Sequence, residues 1–173
     1  MTRLFRERFL KFSLYAVIVF LSYVLQNTPG VLSYCGVSPI LVLPACLCIA
    51  AHEGPFAGGL FGFIFGFFCD TGSEIVFGFN AFFYLIFCTV AGFLVVYVLR
   101  KSVLNVMLIS LSFIFLLCGT EFFFVYLLFG YENLSPFFYW NIAPQIVFSS
   151  LFSIPYCLLF GKLHDLFEKR EEM

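Results

Sequence analysis

Six apolar runs follow one another along the chain, and the breaks between them are too short to fold into anything of their own. They cover approximately residues 9–25, 37–51, 55–69, 75–99, 103–129 and 138–160. A helix rises about 1.5 Å per residue, so a run needs about 20 residues, within a range of about 17–25, to cross the hydrocarbon layer of a bilayer. The second and third runs are marginal by that measure, and Pro39 and Pro44 interrupt the second. Together they read either as two short spans joined by Ala51-His52-Glu53-Gly54 or as one partly re-entrant hairpin. Pro55 suits a first helical turn, with Gly54 in the turn before it. Composition closes off the soluble alternatives. Of 173 residues 62% are hydrophobic, 28 are Phe and only 11% are charged, against about 25% charged in a soluble domain. A globule of this size leaves about 30% of its unfolded surface exposed and could not hide so much apolar area. An ordinary water-soluble enzyme and a disordered chain are excluded. A net charge of -1 offers no basic footprint for nucleic acid.

The cations set the threading. The nine Lys and Arg residues are Arg3, Arg6, Arg8, Lys11, Arg100, Lys101, Lys162, Lys169 and Arg170. With the N-terminus in the cytoplasm and six spans, all nine fall in the inner segments 1–11, 51–54, 100–102 and 161–173, and the three outer loops carry none. A five-span path would send one of the clusters outside. The chain is therefore expected to be all-α: a single polytopic membrane domain over 1–173, with six transmembrane helices and both termini cytoplasmic. Arg3, Arg6, Arg8, Arg100, Lys101, Lys162, Lys169 and Arg170 would then hold anionic lipid headgroups, each worth about 1 kcal/mol near the surface. No small-residue cleavage site follows Leu25, where the chain reads Gln26-Asn27-Thr28-Pro29, so the first run reads as a retained span. Tyr34, Tyr131, Tyr139 and Trp140 suit the outer headgroup level.

Catalytic chemistry finds no foothold. Six of the seven cysteines lie inside apolar runs, none forms a CxxC pair, and neither His52 nor His164 has a cysteine at metal-ligand spacing. Buried Cys is then a small hydrophobe. The two aspartates, Asp70 and Asp165, fall on opposite sides, and there is no P-loop, no Ser-His pairing and no His-x-x-x-His. No catalytic residue, metal or cofactor is expected.

The most informative stretch is Gly54-Pro-Phe-Ala-Gly-Gly-Leu-Phe-Gly-Phe-Ile-Phe-Gly-Phe-Phe-Cys-Asp70. Gly58, Gly62 and Gly66 recur every four residues and form one flat stripe on a helix, which Asp70 continues a turn later. Small residues at this spacing let a neighbouring backbone come close. Phe61, Phe63, Phe65, Phe67 and Phe68 stand between them and either face lipid or fill gaps. Asp70-Thr-Gly-Ser73 is turn chemistry, and Ser73 is placed to cap the fourth helix. The run Gly58–Asp70, its short Gly/Ser turn and the following Phe77-Gly78-Phe79-Asn80-Ala81-Phe82-Phe83-Tyr84 resemble the rod shape-determining protein MreD family. The shared pattern is a glycine-spaced helix ending in Asp, a turn, and a Gly with a small residue three positions on, opening the next helix. Length, span count and short charged tails are similar too.

The resemblance implies a non-catalytic, multi-pass protein of the bacterial cytoplasmic membrane. Its partners would be an MreC-like protein, an MreB-like filament, and a RodA-type glycosyltransferase with its transpeptidase. Its role would be to couple the filament to lateral peptidoglycan synthesis. The implied fold is a six-helix bundle similar to the substrate-binding subunits of energy-coupling-factor vitamin transporters.

Polar side chains inside the runs are costly and mark candidate sites. Glu121 is the clearest, and Asn80, Asn141 and Gln145, with Asp70, belong with it to the outer half. They are either interhelical glue or a partner or ligand site opening outward. The second possibility admits an alternative function, a vitamin-capture subunit of an energy-coupling-factor transporter. Against it stand outer loops without cations for anionic vitamins and the lack of an Ala-x-x-x-Ala coupling motif in the first span.

Overall fold

The computed structural model describes residues 2–28, 30, 38–72, 77–99, 102–124 and 142–171. Among these residues there are helices and turns and no strand. The helices are α1 (Thr2–Asn27), α2 (Val42–Glu53), α3 (Pro55–Asp70), α4 (Phe79–Phe93, continued by a π-helical turn over Leu94–Val98), α5 (Val103–Phe122), α6 (Ala143–Leu151) and α7 (Ser153–Glu171). Four stretches are long and apolar enough to cross a membrane: Arg6–Asn27, Phe79–Val98, Val103–Phe122 and Ala143–Glu168. At 12 and 16 residues, α2 and α3 reach only about 18 and 24 Å.

The short α2 is the centre of the molecule. Every residue from Val42 to Ala51 is buried, with no exposed face at all, and α1, α3, α4, α5 and α7 pack around it. A helix apolar all round belongs in a core, and its Ala and Cys positions let five neighbours approach. Pro44 falls in the first turn, where its missing N–H has no intrahelical partner to lose. The residues leading into α2, Pro39 to Leu41, are buried as well, so their free N–H groups need acceptors. Distant side chains supply them: Gln26 Oε1 of α1 accepts from the N–H of Leu41 at 2.8 Å and of Val42 at 3.2 Å, and Ser149 Oγ of α6 accepts from Ile40 N–H at 2.8 Å.

Aromatic rings join the outer layers. Phe12 of α1 stacks on Phe61 of α3, with centroids 6.2 Å apart, and the row continues through Phe65 and Phe68 to Tyr23. Of the five phenylalanines between the glycines, Phe61 and Phe65 are buried, while Phe63, Phe67 and Phe68 are exposed. Phe87 of α4 stacks on Phe113 of α5 at 4.9 Å.

Three boundaries differ from the hydropathy reading. The fourth helix begins at Phe79, after a left-handed Gly78 (φ 94°), and Ser73, expected to cap it, lies outside the described residues. The sixth run is broken at Phe152: Pro155 has no N–H for the Leu151 carbonyl, which ends α6 and restarts the chain as α7. Finally, α7 carries the charged C-terminal segment on as helix to Glu171.

Candidate functional site

The glycine stripe serves two neighbours at once. A side chain on Gly58 would run into Ala50 of α2, while Cβ atoms on Gly62 and Gly66 would come within 2.6 Å of the Tyr84 carbonyl oxygen and 2.8 Å of the Ala81 Cα, both in α4. Gly92 of α4 returns the contact against the Pro55 backbone. The α3–α4 pair is therefore packed backbone against backbone, as small residues at four-residue spacing allow. Asp70 completes it. Its two carboxylate oxygens accept from the N–H groups of Asn80 (2.8 Å) and Ala81 (3.0 Å), and its side chain is buried. An anion on the first N–H groups of a helix satisfies orphan donors and the positive end of the helix dipole together. The αL Gly78 offers no side chain for this work, so the preceding helix provides the cap.

Next to this joint lies a polar cavity of about 180 Å³, bordered by Gln26, Asn80, Tyr84, Glu121 and Gln145 from α1, α4, α5 and α6. The structure thus brings together Asn80, Glu121 and Gln145, three of the residues singled out by polarity alone, with Asp70 immediately behind them. Asn141 lies outside the described residues. Gln145 Nε2 donates to the Ser38 carbonyl at 3.1 Å, which ties α6 to the entry of α2. Gln26 and Tyr84 are not among the residues that polarity alone singles out; a glutamine at the end of the first apolar run and a tyrosine inside the fourth are the available signals.

The opposite end of the bundle holds a second polar group that sequence reasoning left unassembled. Glu53, at the end of α2, receives Lys11 of α1 at 2.5 Å, His164 Nδ1 of α7 at 2.7 Å and the Tyr15 hydroxyl at 2.9 Å. Lys11 and Glu53 are only 11% and 10% exposed. Burial pushes the Glu53 carboxyl upward, but the hydrogen bonds from Lys11, His164 and Tyr15 outweigh it and hold the group below the ordinary carboxylate value. His164 Nε2 also lies 3.8 Å from Glu168. The cluster thus ties α1, α2 and α7 together at this end of the bundle, beside the edge-to-face contact of Tyr15 with Phe160.

Among the expected lipid-binding cations, Arg6, Arg8 and Lys162 are exposed. Arg3, Lys169 and Arg170 lie within the two terminal helices, and Arg100 and Lys101 lie outside the described residues. Cys46, Cys48, Cys88, Cys118 and Cys157 are buried thiols. Among the described residues no cluster of His, Cys, Asp and Glu has the geometry to hold a metal ion. No family model, curated protein or solved structure matches the chain.

Proposed function

We propose that this chain is a non-catalytic scaffold of the bacterial cell-elongation machinery in the cytoplasmic membrane, threaded six times with both termini inside. It would couple an actin-like filament, through an MreC-like partner, to a RodA-type glycosyltransferase and its transpeptidase. The observation that carries this reading is the coincidence of motif and joint. The segment with the MreD-like pattern, Gly58 to Ala81, is the place where two helices meet backbone to backbone and where Asp70 locks the second helix onto the first. A pattern of that kind preserves a rigid shape, which is what a scaffold presents to its partners. The meeting of Lys11, Glu53 and His164 at one end, and of Gln26, Asn80 and Glu121 at the other, supports an even number of crossings. Depletion in a rod-shaped host tests it. Rounded, swollen cells are expected, and unchanged rods would refute the reading.

A second reading, solute capture for an energy-coupling-factor-type transporter, is favoured by the polar cavity beside Glu121. It predicts a vitamin auxotrophy with normal cell shape in the same depletion.

A further inference from the structure

We infer that the cavity beside Glu121 binds a small organic cation, a protonated primary amine, with the Glu121 carboxylate as its counter-charge. The inference rests on the premise of the second reading, that this cavity takes a solute, and adds the class of solute.

The argument begins with a missing partner. Glu121 is the one ionisable carboxylate bordering the cavity among the described residues, and it makes no hydrogen bond or ion pair with any of them. By contrast, Asp70 is capped onto α4 and Glu53 is clamped by Lys11 and His164. In the sequence, residues 26–41, 69–81 and 117–150 contain no Lys, Arg or His. A carboxylate among apolar helices with no neighbouring cation is stabilised by an external positive charge.

The other groups narrow the class. Gln145 donates one amide N–H to Ser38, and its carbonyl oxygen and that of Asn80 are acceptors at the cavity. Acceptors around one carboxylate suit a group with several N–H donors, as an ammonium has. An anion would meet Glu121 with no cation to offset it. A bare metal ion fits poorly too, because the described residues form no metal-holding cluster and the space is about 180 Å³. A cavity of about 150 Å³ accommodates benzene, so a ligand of about six non-hydrogen atoms is the right scale.

The test is thermal unfolding of the purified full chain in lipid nanodiscs at neutral pH. The probes are n-butylammonium, n-butanol, butyrate and sodium ion, titrated separately. The expected result is a saturable rise in melting temperature with n-butylammonium alone, weakened at least tenfold in apparent affinity by Glu121→Gln. An equal rise with n-butanol, a rise with sodium alone, or a response unchanged in Glu121→Gln would overturn the inference. The comparison of n-butylammonium with n-butanol uses the wild-type protein, so it stands even if the variant fails to fold. Stabilisation by butyrate or a neutral solute, with none by the amine, defeats this inference and leaves solute capture intact. No response to any of these probes or to a panel of vitamins defeats both.

Discussion

Replacing Gly62 by Ala adds one methyl group where two helix backbones already touch. The new Cβ would stand 2.6 Å from the Tyr84 carbonyl oxygen and 3.0 Å from the Cys88 sulfur, about 0.8 Å inside ordinary contact with the carbonyl. A backbone atom cannot rotate aside as a side chain tip can, so α3 and α4 must separate along the stripe. Overpacking of this kind costs about 1–3 kcal/mol. The better helix propensity of Ala returns up to about 1 kcal/mol. The net expectation is a loss of up to about 2 kcal/mol, or up to about 8 °C in melting temperature for a chain of this length. Gly119→Ala is the matched control: it lies in α5, and its Cβ would meet nothing within 4 Å. There the propensity gain stands alone, and stability should rise by up to about 1 kcal/mol. The assay is thermal unfolding of both variants in the same nanodiscs. Opposite signs are expected. Two shifts of the same sign and size would show that the stripe is not a close contact, and the reasoning would fail.

Asp70→Ala strips the acceptor from two buried N–H groups and removes a charged cap, at about 2–4 kcal/mol, and should speed hydrogen exchange at Asn80 and Ala81 above all. Gln26→Ala leaves the N–H groups of Leu41 and Val42 without their acceptor, so exchange should quicken at the start of α2 while the end near Glu53 stays protected. Glu53→Gln leaves Lys11 beside a neutral amide, and breaking a pair this buried costs about 3 kcal/mol; the melting temperature in nanodiscs reports it. Because the Glu53 carboxyl is held below its ordinary value of 4.5, its stabilisation is complete above that value and is lost as the pH falls through the lower folded-state value. The wild-type melting temperature should drop in that acid window, and the drop should be smaller in Glu53→Gln.

Much of the fold is legible because the bilayer imposes simple demands. Apolar runs of sufficient length locate the long helices, and Gly54-Pro55 marks a helix start that the structure reproduces, with Gly54 at φ 94° and Pro55 opening α3. The glycine stripe is equally readable, since a four-residue period on a helix can only form one face. The partners of that face are less so. Gly58 meets α2 whereas Gly62 and Gly66 meet α4, and nothing in a periodicity says which helix lies opposite. Asp70 illustrates the same boundary. Turn chemistry explains an Asp before Thr-Gly-Ser, but its actual acceptor role spans ten residues, onto a helix start displaced to Phe79 by the left-handed Gly78. Gln26 and Ser149 acquire meaning only once the entry to α2 is buried and its N–H groups need acceptors. Glu53, Lys11 and His164 stand far apart in sequence, and each alone looks like a boundary residue. Hydropathy also overlooks the interruption at Phe152, because Pro155 changes hydrogen bonding without changing apolarity.

The central claim is that the Glu53 end and the Asp70 end face opposite sides of one membrane. Single-cysteine labelling with a membrane-impermeant maleimide tests it most directly, since the described native cysteines are buried, apart from the half-buried Cys69. Gly72→Cys, next to the exposed end of α3, should label in intact cells above the wild-type background. Lys162→Cys, on the exposed face of α7, should label only after permeabilisation. Labelling of both from the same side would contradict the account.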